Sequence, residues 1–108
     1  MKRSCSNLLI LSLGLMFAAT AQADDYVITI KNSQFSPAQL SVPAGKKIRL
    51  VVKNQDAIPA EFESSDLNRE KVITANSEIF IFIGPLDAGS YGFFNDFKPE
   101  SKGAIVAK

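Results

Sequence analysis

The chain has 108 residues, with 12 Lys+Arg against 11 Asp+Glu, one Cys, no His and no Trp. A formal net charge of +1 offers no basic footprint for nucleic acid. Without an imidazole, Ser64, Ser65 and Ser101 have no general base to make them nucleophiles, and no Gly-rich phosphate loop is present.

Lys2 and Arg3 precede an apolar run, Leu8 to Ala19, that is too short for a stable bilayer span. Ala21-Gln22-Ala23 then supplies the small-x-small pattern of a cleavage site. The sequence therefore predicts a cleaved secretory signal peptide over residues 1–23 and an exported domain over 24–108. An uncleaved N-terminal anchor is the alternative. Cys5 lies ahead of the apolar run, which does not suit a lipid anchor. Cleavage would remove Cys5, Met1 and Met16, leaving 85 residues with 10 Lys+Arg, 11 Asp+Glu and a net charge of −1. Such a domain has no thiolate, thioether or imidazole to offer a metal or a reaction. Its expected location is the periplasm, with no membrane insertion after cleavage, and its length suits one domain with a small core.

Apolar alternation at a period of two runs through the rest of the chain. Tyr26 to Ile30 reads as a half-buried strand of β-branched and aromatic residues, and Asn32-Ser33 breaks it. Phe35 to Val42 reads as a second strand, with Pro37 at an edge or kink, and Pro43 to Lys46 as a turn. Lys47 to Asn54 is the strongest central strand, with Ile48, Leu50 and Val52 on one face and Arg49 and Lys53 on the other. Asn54 to Pro59 is a loop. Ala60 to Glu63 would be a short strand with Phe62 inward. Ser64 to Arg69 would form one helical turn capped by Ser65 or Asp66. Lys71 to Thr74 is another strand, and Ser77 to Ile83, apolar on both faces, should be buried or covered. After Gly84-Pro85 come strands at Ser90 to Phe94 and Gly103 to Ala107. Seven or eight short strands with Gly, Pro and Asn turns predict an all-β sandwich or barrel, with an α+β fold as the alternative.

Two stretches, FSPAQLSVPAGKKIRLVVKN (Phe35 to Asn54) and GSYGFFNDFKPESKGAIVAK (Gly89 to Lys108), resemble the small periplasmic cupredoxins. The resemblance covers nearly all of residues 24–108 and implies a Greek-key β-sandwich. In that family a loop histidine following a proline, a cysteine closing the Gly-x-Tyr-x-Phe strand, a second histidine and a methionine bind copper. Matched position by position, the chain has Ala60, Asn95, Lys98 and Ser101 there. All four ligands are replaced, while Pro99 and Gly103 keep the outline of the loop. A type 1 copper site needs a thiolate, so none is expected. Tyr91, Phe93 and Ile105 should face the core.

A narrower resemblance, in PAEFESSDLNREKVI (Pro59 to Ile73) and GPLDAGSYGFFNDF (Gly84 to Phe97), is to cupredoxin-like proteins that accompany bacterial high-affinity iron permeases. The N-terminal cupredoxin-like domain of Efe-type iron-uptake proteins is a related case. It implies an accessory role in iron uptake, beside an iron permease or a periplasmic iron-binding protein. A ferrous-iron oxidation role would follow from the resemblance alone, and no catalytic residue is assigned.

The remaining candidate ligands are carboxylates. Glu61 and Glu63 are two apart and share one face of a strand, Asp66 and Glu70 follow, and Asp96 and Glu100 flank the former copper loop. The predicted metal site is Glu61, Glu63, Asp96 and Glu100, for iron or copper held by oxygen. A solvated charged face is the plain alternative. Lys98 is either a surface lysine or an ammonium that fills the vacated site by pairing with Glu61 or Glu100. Phe94 and Phe97, if exposed, would mark a partner-docking patch. Three functions stay open: an iron-uptake accessory acting through carboxylates, a metal-free docking scaffold, and a carboxylate copper-binding protein without electron transfer.

Overall fold

The computed structural model describes residues 25–108; the predicted signal peptide lies outside them. The described chain is all β. Its strands are β1 (Asp25–Lys31), β2 (Gln34–Ser36), β3 (Gln39–Val42), β4 (Ile48–Asn54), β5 (Ala60–Ser64), β6 (Arg69–Ile73), β7 (Ser77–Ile83), β8 (Gly89–Asn95) and β9 (Lys98–Ala107). They form a four-stranded sheet in the order β2-β1-β4-β7 and a five-stranded sheet in the order β3-β9-β8-β5-β6. The pairs β1–β4 and β3–β9 are parallel, and the others are antiparallel.

Nine strands exceed the expected seven or eight because Phe35 to Val42 is two strands, not one. It breaks at Pro37-Ala38, so that β2 joins one sheet and β3 the other. The last strand also starts earlier than Gly103, because residues from Lys98 onward already pair with β8. The helical turn expected over Ser64 to Arg69 is instead a tight turn between β5 and β6. Ser64, rather than Ser65 or Asp66, provides the acceptor: its Oγ receives the amide of Leu67 at 3.0 Å.

Alternation places the core as the pattern predicts. Ile28, Ile30, Ile48, Leu50, Val52, Ile81 and Ile83 face inward from the four-stranded sheet, and Val42, Phe62, Ile73, Phe93, Ile105 and Ala107 from the other. Burying each large side chain is worth about 1.5–3 kcal/mol. Phe93 sits at the centre of an aromatic group, edge-on to Phe35 (centroids 4.8 Å apart) and tilted against Phe62 (5.0 Å). This ring explains Gly103. A Cβ there would lie 2.5 Å from Phe93 and 2.6 Å from the carbonyl of Ala38, so the strand can pass the ring only without a side chain.

The loop before β5 is fixed by two polar residues. Buried Asn54 donates from Nδ2 to the carbonyls of Ile58, Ile73 and Thr74 at 2.8–3.2 Å and accepts the amide of Asp56 at 3.0 Å. Asp56 in turn accepts the amides of Asn32 (2.7 Å) and Ser33 (2.8 Å). Those two residues have left-handed φ values of 53° and 60°, the conformation of a tight two-residue hairpin. One side-chain pair therefore ties the β1–β2 hairpin to the loop that delivers β5.

Candidate functional site

β5 lies between β6 and β8, and its alternation divides the candidate residues between two faces. Ala60, Phe62 and Ser64 are buried inward; Glu61 and Glu63 are half-buried and outward. The inward side contains the positions where the resemblance places copper ligands. Ala60 is buried and contributes only a methyl group. Asn95 is buried at the end of β8, and its Oδ1 accepts the amides of Glu61 (2.9 Å) and Phe97 (3.0 Å). Its oxygen is thus committed to closing the loop. Ser101 is 4% exposed, and its Oγ has no hydrogen-bond partner among the described residues. Lys98 is exposed. The one ion pair among the described residues joins Arg49 to Asp25 at 2.6 Å, so Lys98 pairs with neither Glu61 nor Glu100 and takes the surface reading. These four residues do not fit a type 1 copper ion. A methyl, a carboxamide already engaged by two backbone amides, a hydroxyl and an exposed ammonium supply no soft ligand set.

The outward side gathers charge. The β5–β6 hairpin sets Glu63 directly opposite Glu70 and Glu61 opposite Val72. One oxygen from each of Glu61, Glu63 and Glu70 lies within 4.8 Å of the others. Asp96 is brought alongside by its amide, which donates to the carbonyl of Glu61 at 3.0 Å. Like charges directly opposite on neighbouring strands repel, and the acids respond. Desolvation raises the Glu61 carboxyl to about 7, helped by Glu70 and Asp96, whose hydrogen bonding favours the protonated form and whose charges oppose ionisation. Glu63 is also raised, first by desolvation, then by the charges of Glu70 and Asp96 and by hydrogen bonding with Glu70. A cluster in this state can share protons or exchange them for a hard cation.

Of the predicted metal residues, Glu61, Glu63 and Asp96 come together. Glu100 is exposed on β9 and is not among the three gathered carboxylates. Glu70 takes part because a hairpin, not a helical turn, follows Ser64. The signal for it was the turn-forming run Ser65 to Asn68, which makes positions 63 and 70 cross-strand partners. Asp66 is used elsewhere, accepting the amide of Gly92 at 2.9 Å. Phe97 is 51% exposed. Phe94 is half-buried and lines a shallow groove of about 300 Å³ with Asp66, Gly92 and Lys102.

A family model described as "Cupredoxin-like domain" matches residues 6–107. The chain is 43% identical over 79 residues to an uncharacterized protein of Rickettsia prowazekii (strain Madrid E); the match covers 73% of this chain and 63% of that protein. The fold is similar to amicyanin from Paracoccus versutus (TM-score 0.64, 20% identity, covering 84% of this chain and 88% of that one). It is also similar to a novel purple cupredoxin from Nitrosopumilus maritimus (TM-score 0.62, 19% identity, covering 78% and 100%). With the family match running along nearly its whole length, the chain belongs to the cupredoxin-like domain family.

Proposed function

We propose that this protein is an exported accessory of iron uptake that holds an iron ion through carboxylates on the outer face of its five-stranded sheet. The carrying observation is the convergence of Glu61, Glu63 and Glu70 within 4.8 Å, with Asp96 beside them. Carboxylate oxygens suit hard cations, and ferric iron more than ferrous. Bound iron would replace the protons the cluster otherwise holds and relieve its repulsion. The proposal is for binding; a ferrous-iron oxidation role rests on the family resemblance alone. Export follows from the predicted cleavage after Ala23, and the partner is an iron permease or a periplasmic iron-binding protein, as the narrower family resemblance implies.

The test is thermal unfolding with Fe³⁺-citrate, anaerobic Fe²⁺, Cu²⁺ and Mn²⁺, each beside the Glu61→Gln/Glu63→Gln variant. A ligand that binds only the folded state raises its melting temperature. A rise with iron that the variant loses is expected. A rise with Cu²⁺ alone, without an intense blue band, would favour a copper-binding protein instead.

The exposure of Phe97 favours a second reading, a metal-free scaffold that docks a permease or an iron-binding partner by the Phe94–Lys98 edge. It predicts no shift with any metal, and a partner complex that Phe97→Ser weakens.

A further inference from the structure

Ser77 to Ile83, expected to be covered on both sides, is open on one. β7 is an edge strand of the four-stranded sheet, and Phe80 and Phe82 are 49% and 48% exposed on its outer face. Glu78 shares that face. Cations lie over both rings: Arg49 over Phe80 and Lys47 over Phe82, each 4.7 Å from the centroid. A long, flat, apolar edge strand is a template for another strand unless it is blunted. β7 is seven residues long with a single charge, Glu78. Its outward backbone groups can be identified. Nη2 of Arg69 donates to the carbonyl of Phe82 at 2.9 Å, so Phe82 points its backbone groups away from β4. By the alternation of a strand, Phe80 and Glu78 do the same.

We propose that β7 is the self-association edge of this protein and pairs antiparallel with β7 of a second copy across a two-fold axis at Phe80. In that register the two Phe80 residues face each other, and Glu78 of each copy faces Phe82 of the other. The amide of Glu78 then replaces Arg69 as the donor to the Phe82 carbonyl. Lys47 already sits over the Phe82 ring, so Glu78 of the second copy arrives beside its ammonium. The symmetry makes this ion pair twice. This charge complementarity selects a second copy as the occupant and sets the register. Joined in this way, the two four-stranded sheets become one continuous sheet, and the exposed phenylalanines pack on one another.

The experiment is sedimentation equilibrium on protein purified from cells expressing the full 108-residue sequence, at concentrations up to about 1 mM, where weak homodimers form. The expected result is a monomer–dimer equilibrium. Glu78→Lys and Lys47→Glu, each placing like charges together at two symmetric points, should weaken it about tenfold or more. The double charge swap should restore it in a single chain. Phe80→Lys should abolish it. A protein that stays monomeric throughout overturns the proposal. So does a dimer indifferent to Glu78→Lys, or a double swap that folds, by circular dichroism, yet stays as weak as the single variants.

Discussion

Inward from β5, Phe62 is sealed in the aromatic group and Ser64 Oγ donates to the carbonyl of Gly92 at 2.7 Å while accepting the amide of Leu67. Outward from the same five residues, Glu61 and Glu63 crowd against Glu70 and Asp96 without a cation to pair with among the described residues. Of the two faces of β5, only the outer one leaves acidic side chains uncommitted. On the buried side Asn95 turns its oxygen onto two backbone amides, and a metal there would have to displace those bonds. The outer side does the reverse. It keeps mutually repelling acids within reach of one ion, and binding would relieve the repulsion.

Substitutions on the inward side should cost the most. Phe62→Ala removes the ring packed on Phe93 and should destabilise the fold by about 3–5 kcal/mol in urea denaturation. Asn95→Ala leaves the amides of Glu61 and Phe97 without their acceptor and should cost about 2 kcal/mol. It should also loosen the loop, seen as faster amide exchange at those two positions. Ser101→Ala should have the opposite sign. The hydroxyl is buried without a partner, so its removal should be neutral or gain up to about 1 kcal/mol.

The outward side should show itself through pH. The Glu61 carboxyl rises from its ordinary 4.5 to about 7 in the folded protein, so between those values the folded state binds more protons than the unfolded one. The Glu61 contribution to metal-free stability is therefore full below about 4.5, is lost as pH rises through about 7, and is absent above it. Melting temperatures between pH 4.5 and 8 should show that decline, and Glu61→Gln should flatten it. A slope unchanged by the substitution would place the repulsion elsewhere.

How far these two sides could be read in advance differs in the same way. Alternation alone placed Ile48, Leu50, Val52 and Phe62 inside and Glu61 and Glu63 outside, because period-two patterning is local. Gly103, read as holding the loop's outline, has a packing reason in Phe93. What escaped depended on how strands pair. Glu70, named among the nearby acids, meets Glu63 through the β5–β6 hairpin, and Asn54 and Asp56 act across to Ile73 and Asn32. Phe80 and Phe82 were expected to be covered because their strand is apolar on both faces. They lie on the outer face of the sandwich, which no further layer covers among the described residues, while Ile81 and Ile83 on the strand's other face are buried.

Protons and a metal should compete for the one outward cluster. Isothermal titration of iron near pH 6.5, in two buffers of different ionisation enthalpy, counts the protons released per ion bound. Because Glu61 is partly protonated there, binding should be accompanied by proton release, with both lost in Glu61→Gln/Glu63→Gln. Iron binding without proton release, binding that survives in the variant, or no binding at all would contradict it.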